Sequence, residues 1–410
     1  MTIDSQQYAN LADHTYDRDG EMRSLVNKQV EIDGAQYKVL DHVDNPRTGY
    51  QGTIYQRVDG GDIVVAHRGT EPGREFVQDV LRADAGMVVG RSNIQAQDAI
   101  ELTRRALELA KSEGETKGVT PEVSVTGHSL GGTLAQISAH HFDLPGETFN
   151  AYGAASLDRR IPEGPNGRVV NHVMAADPVS AASPHYGEVR IYANQREIDT
   201  LNATGYHNNR LVDLVTPDNP LVAAGASFGS HSQHQFLNVD GDGRPDRSVL
   251  GDPAARQLAE DNKRAIEGYR DDVEGLRRGV TVISRGPLGL VRDGIDHVRG
   301  PVPAGEPAAR EERERQSQNA PAPDARRSSV QDASPRAAVE DDQSQSVARL
   351  FAAARAGDAA ALRGATAQLE ASEQGQAWQE RADTEKQALA AREQTQEQDA
   401  RRQANDARVA

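Results

Sequence analysis

Cysteine is absent from the chain. Disulfides and thiol chemistry are therefore excluded, and the fold can persist in an oxidising or a reducing compartment. Positive charge is short: 46 Lys and Arg stand against 62 Asp and Glu, a formal net charge of −16. That balance excludes a protein held to nucleic acid by sequence-independent phosphate contacts. Long apolar runs are missing too; none approaches the ~18 residues that would cross a bilayer. Apolar residues make up 37% and the mean hydropathy is −0.68. A chain of 410 residues with that composition is expected to hold more than one unit, part of it solvated. The first residues, Met1 to Gln7, carry no basic n-region and no apolar h-region. A Sec signal is therefore not expected, and the chain is expected to be made in the cytoplasm and exported, if at all, by another route.

What is present is centred on Val123-Ser124-Val125-Thr126-Gly127-His128-Ser129-Leu130-Gly131-Gly132. The left half alternates as a strand does. The right half runs into Thr133–His140, which has a helical pattern. Between them lies Gly127-x-Ser129-x-Gly131, the nucleophile-elbow spacing. A sharp strand-to-helix turn lifts one hydroxyl out of the fold, and glycines on either side let helix and strand cross closely. The helix N-terminus then aims backbone N–H groups at a developing oxyanion.

The flanking pattern is that of a mostly parallel α/β sheet. Residues 4–25 read as helical. Asp33-Gly34 and Asp59-Gly60-Gly61 are hairpin turns between strand-like runs. Residues 71–91 fit either a lid or a segment covering the sheet edge. A capping box at Ser92-Asn93-Ile94-Gln95 predicts a helix from there to about Gly114. Thr148–Gly153, Arg168–Ala176 and Val189–Tyr192 read as strands, residues 200–230 as loop, and Asp252-Pro253 as the start of a long helix. Residues 1–300 are thus expected to be the folded domain. Residues 301–345 have the composition of a disordered linker, and 346–410 that of a helical, Gln-rich tail with little to bury.

A serine nucleophile needs a base, and the base an orienting acid. Ser129, Asp177 and His231 follow in the chain order of an α/β-hydrolase. Asp177 ends an apolar strand, where parallel sheets keep their sites; Asp158 and Asp143 are the alternatives. His234 is the alternative base. His128 and His67 suit wall positions, and His140 and His141 suit capping or packing. The backbone N–H groups of Leu130 and Thr70 are candidates for the oxyanion hole. Asn238, Asp240, Asp242, Arg244 (through its carbonyl) and Asp246 have the spacing of a calcium loop with Gly243 at its sharp turn. Val249 stands where the bidentate Glu would be; the alternative is a plain Asp/Gly turn. Bound Ca²⁺ there would order the loop that follows His231.

Val65-Ala66-His67-Arg68-Gly69-Thr70, Gly127–Gly132 and Asn150-Ala151-Tyr152-Gly153 together resemble the class 3 lipases, over about residues 50–240. The resemblance implies an α/β-hydrolase with Ser129 as nucleophile and Thr70 at the oxyanion hole. His67 departs from it, since many members carry an aromatic there. The N-terminal region, Asn238–Leu250 and the Gln-rich tail further resemble lipase-type antibacterial effectors of Xanthomonas-like bacteria. That likeness implies a phospholipase A acting on the membrane of a target cell, in its periplasm. It implies type IV secretion through a coupling ATPase that reads the tail, and an immunity lipoprotein that inhibits the enzyme. Two other readings stand beside it: a housekeeping carboxylesterase on soluble esters, and a non-catalytic binding module on a hydrolase scaffold.

Overall fold

Eight strands form one sheet in sequential order. They are β1 (Gln29–Ile32), β2 (Ala35–Asn45), β3 (Tyr50–Arg57), β4 (Ile63–His67), β5 (Val123–His128), β6 (Gly146–Phe149), β7 (Val169–Met174) and β8 (Glu188–Tyr192). A computed structural model describes residues 3–16, 21–69, 85–155, 159–165, 167–208, 218–277 and 300–318. The chain divides into Met1–Asp324 and Ala325–Ala410; the second unit lies outside the described residues, and with it the expected tail.

Strands β1 to β4 are antiparallel, and β4 to β8 are parallel. The switch follows connection length. Asp33 and Gly34, both at positive φ, make the two-residue turn that hairpins favour. The β4–β5 connection instead carries a 33-residue helix, Ala85–Lys117, and so returns parallel. All five residues of β4 and all six of β5 are buried, as befits parallel strands covered on both faces.

Alternation along β4 divides the core. Ile63 and Val65 join a cluster with Leu102, Ala106, Leu130 and Leu134, from helix Ala85–Lys117 and helix Leu130–Phe142. Val64 and Ala66 join the opposite cluster, with Tyr8, Leu11, Tyr55 and Phe236. Helix Ser5–His14 covers that second face, capped by Asp4 in a capping box. The result is an α/β-hydrolase, with the elbow at the centre of the sheet.

Several local expectations shift. The helix expected to start at Ser92 starts at Ala85. Ser92 is buried inside it, so the capping-box residues are interior turns. Residues 200–230, expected as loop, contain the end of helix Gln195–Ala203 and helix Pro220–Ala226. Both are short helices with asparagine caps; the first buries only Glu197, Ile198 and Leu201, and the second only Ala223 and Ala224, which gives little apolar periodicity. The long helix after Pro253 breaks at Asn262 and resumes over 263–277. The start of the expected disordered linker is folded. Helix Glu306–Gln318 follows a segment bonded to the domain by Val302 N–H to Arg160 O and Gly305 N–H to His140 O, both at 2.9 Å. Arg104 pairs there with Glu311, so charge, which leaves no apolar signal, docks this helix. Residues 278–299 and 319–345, the lid candidate up to residue 84 and Asp158 lie outside the described residues.

Candidate active site

The turn at Ser129 has φ 57° and ψ −126°. A non-glycine residue there carries strain of order 1–3 kcal/mol. The flanking glycines make the turn possible. A Cβ on Gly127 would lie 2.4 Å from the Gly131 carbonyl carbon, and one on Gly131 would lie 2.1 Å from His67 O. Ser129 is locked at both sides: its N–H donates to Phe149 O at 3.0 Å, and its carbonyl accepts from Thr133 N–H at 3.2 Å. Helix Leu130–Phe142 begins at the next residue, so the Leu130 N–H is one of the four N-terminal donors without an intrahelical acceptor.

Asp177 lies beyond the carboxyl end of β7 and caps a short helical turn, Pro178–Ala181. One carboxylate oxygen accepts from Val179 N–H and the other from Ser180 N–H, both at 3.0 Å. His231 sits in a 3₁₀ turn, Phe228–His231. Its Nδ1 is 3.0 Å from Asp177 Oδ1, and its Nε2 is 2.9 Å from Ser129 Oγ. All three side chains are buried. Burial pushes the Asp177 carboxyl up, but the facing His231 and the hydrogen bonds from His231, Ser180 and Val179 outweigh it. Asp177 is held below the ordinary carboxylate value, so the ring faces an anion. This geometry lets His231 take the Ser129 proton through Nε2 while Asp177 holds Nδ1–H in place.

The base turn is clamped from the sheet. His128 Nε2 donates to His231 O at 2.8 Å, and Asn150 Nδ2 donates to Ser230 O at 2.7 Å. Asn150 Oδ1 also accepts from Met174 N–H at 2.9 Å, three residues before Asp177. Burial, with the neighbouring His231, pushes His128 down to about 3, and burial does the same to His67. Both rings are neutral at neutral pH. His67 Nδ1 is 2.8 Å from the buried Tyr50 hydroxyl, which makes His67 a wall residue of the β4 end. From the other side of the acid turn, Tyr269 donates to Ala176 O at 3.1 Å and Arg270 to Ser180 O at 2.9 Å.

Other candidates fall elsewhere. Thr70 lies outside the described residues. His234, in the 3₁₀ turn Gln233–Phe236, bonds to neither Ser129 nor Asp177, and its Nδ1 has no hydrogen-bond partner among the described residues. Asp143 is the left-handed C-cap of helix Leu130–Phe142, at the end remote from Ser129. His140 donates to Val302 O at 2.7 Å, and His141 lies 3.5 Å from Glu311.

The residues of the expected calcium loop do not fit the ion as folded. Asp240 Oδ1 accepts from Asp242 N–H and Arg244 N–H at 2.9 Å, and Oδ2 from Arg244 Nε at 2.9 Å. The Arg244 guanidinium also pairs with Asp242. Asn238 Oδ1 accepts from Ser248 N–H, and Asp246 Oδ1 from Arg247 N–H. A guanidinium thus takes the carboxylates a cation would need, and among the described residues no group of three His, Asp or Glu is disposed to hold a metal.

Asn150 and His128 carry clamping roles that the sequence did not assign. Asn150 lies within Asn150-Ala151-Tyr152-Gly153 and His128 within the elbow, and neither motif marks a partner on another segment.

Residues 7–176 match the family described as phospholipase-like, Tle-like phospholipase domain. The match ends one residue before Asp177 and leaves out the His231 turn. No curated protein matches the chain by sequence. Among solved structures, the native propeptide complex of Rhizomucor miehei lipase is similar at 16% identity, covering 47% of this chain and 70% of that one, with a TM-score of 0.33. Yarrowia lipolytica Lip2 lipase is similar at 14% identity, covering 46% and 77%, with a TM-score of 0.31. Lipase II of Rhizopus niveus is similar at 17% identity, covering 42% and 71%, with a TM-score of 0.28. Sheet order and the strand-to-helix elbow give an α/β-hydrolase fold. Its first half is phospholipase-like in sequence.

Proposed function

We propose that this chain hydrolyses acyl esters of membrane phospholipids, as a phospholipase A. The observation that carries the reading is the continuous hydrogen-bonded chain Ser129–His231–Asp177 on an elbow inside a phospholipase-like segment. Ser129 Oγ attacks the ester carbonyl as His231 takes its proton. Backbone N–H groups, Leu130 first among them, receive the oxyanion. The alcohol leaves with the proton from His231, and water then resolves the acyl-enzyme by the same path. No described helix is long and apolar enough to cross a membrane, so on this reading the enzyme meets lipid at the bilayer surface.

The wider setting we propose rests on the resemblance to antibacterial effectors: export through a type IV system by way of the C-terminal tail, action in a target cell's periplasm, and restraint by an immunity lipoprotein in the producer. The acidic balance and the polar residues beyond 318 are compatible with that setting.

The test is release of fatty acid and lysophospholipid from phosphatidylethanolamine–phosphatidylglycerol liposomes by wild type and Ser129→Ala. Release by wild type alone supports the reading. Cleavage of short soluble esters without release from liposomes would instead select the carboxylesterase. Toxicity retained by Ser129→Ala in a target periplasm would select the binding module.

A further inference from the structure

The acid and the base of the Ser-His-Asp chain come from different segments, 176–180 and 228–231, and each is a short turn. Something must hold the two in register. Asn150 ties Met174 N–H to Ser230 O from within the sheet. A second tie comes from outside it. Glu197 belongs to helix Gln195–Ala203, on which it completes the N-terminal capping box: Oε2 accepts from Asn194 N–H at 3.0 Å. Its other oxygen does not face solvent. Oε1 accepts from Ala176 N–H, the residue before Asp177, at 3.0 Å. The Ser230 side chain, beside His231, lines the same small cavity as Glu197. Glu197 is only 3% exposed. A cap has no need of burial, and surface capping boxes leave this carboxylate in water.

We propose that Glu197 is a positioning residue for the Ser129–His231–Asp177 chain, its buried carboxylate holding the turn that carries the acid where it faces the turn that carries the base. The proposal rests on the serine-hydrolase reading of the site. A carboxylate is the group suited to the place, because it offers acceptor lone pairs on both oxygens and no donor. Glutamine has one such oxygen, and turns an NH₂ toward a backbone N–H on the other side. Aspartate is one methylene shorter and cannot hold the Ala176 N–H and the Asn194 N–H together from the same helix.

The experiment compares wild type, Glu197→Gln, Glu197→Asp and Asn194→Ala as full-length chains. Asn194→Ala removes the helix cap and leaves the Ala176 bond in place. Three properties are read: kcat and KM on liposomes, the rate at which a fluorophosphonate labels Ser129, and the low-field proton resonance of the His231–Asp177 hydrogen bond. Glu197→Gln should lower kcat roughly 10- to 100-fold, the cost of a misplaced catalytic group, with KM nearly unchanged. Labelling should slow in parallel, and the low-field resonance should broaden or vanish. Glu197→Asp should move in the same direction if the glutamine variant does not fold. Asn194→Ala should match wild type in all three.

Wild-type labelling and a retained resonance in Glu197→Gln, or an equal loss in Asn194→Ala, would overturn the proposal and leave a helix cap. Wild type that neither hydrolyses lipid nor is labelled would overturn the hydrolase reading instead. The resonance comparison would still decide the role of Glu197, because it needs no substrate.

Discussion

His128 Nε2 donates to the main-chain oxygen of His231 at 2.8 Å, and the two rings lie 5.0 Å apart. The residue before the nucleophile therefore holds the backbone of the base. Tyr16 adds a longer contact, its hydroxyl 3.3 Å from His128 Nδ1. His128→Ala leaves the His231 carbonyl buried without that donor. Such a loss typically costs about 1–3 kcal/mol, to be read by urea denaturation, and kcat should fall with it. An unchanged unfolding midpoint would show that the clamp is dispensable.

Ser129→Ala should abolish hydrolysis and fluorophosphonate labelling while keeping the circular dichroism of wild type. Asp177→Asn should keep the fold and lower kcat by as much as about 10⁴-fold, since the amide can hold the ring in the wrong tautomer. His234→Ala should leave kcat near wild type, because that ring reaches neither partner. A larger loss at His234 than at His231 would reassign the base.

Gly131→Ala should be poorly tolerated. Its Cβ would meet the backbone of His67, Arg68 and Gly69 within 2.7 Å, and backbone cannot move aside as a flexible side chain can. Overpacking of this kind costs typically 1–3 kcal/mol, sometimes more, to be measured as a lowered Tm. Gly225→Ala, where a Cβ meets nothing within 4 Å, is the control.

Acid should destabilise the domain through its buried imidazoles. Burial holds His67 and His128 at about 3 and His185 at about 4, below the ordinary 6.5. A folded-state value below the unfolded one means stability that is complete above pH 6.5 and lost as pH falls toward the folded value. By about pH 4, His67 and His128 should each cost about 3 kcal/mol. Glu197, raised to about 7 chiefly by burial, acts with the opposite sign between its ordinary 4.5 and 7 and offsets part of the loss. Unfolding free energies across this range should fall with pH, and His67→Gln should flatten the fall.

Chelators should leave hydrolysis unchanged, because Arg244 already bridges Asp240 and Asp242. Calorimetric titration of the full chain with Ca²⁺ checks this directly; binding that Asp240→Asn removes would show that the guanidinium gives way to the ion.

The sequence by itself determined the elbow, the two-faced strands and the chain order of the three polar residues now joined. These are local properties: alternation at period two, glycine where no Cβ fits, and an aspartate placed just past an apolar strand. The calcium spacing was equally local, yet its residues fold around Arg244, because spacing names the oxygens and not the cation that meets them. The Ser92 capping box was local too, and burial of the longer helix against the sheet overrode it. Only the tertiary structure decided which of Asn150, His128 and Glu197 would clamp the site. Each bond there links side chain to backbone across 21 to 103 residues. A backbone N–H or carbonyl is present at every position, so the sequence marks no partner for them; only the packing of elements onto the sheet brings one within reach.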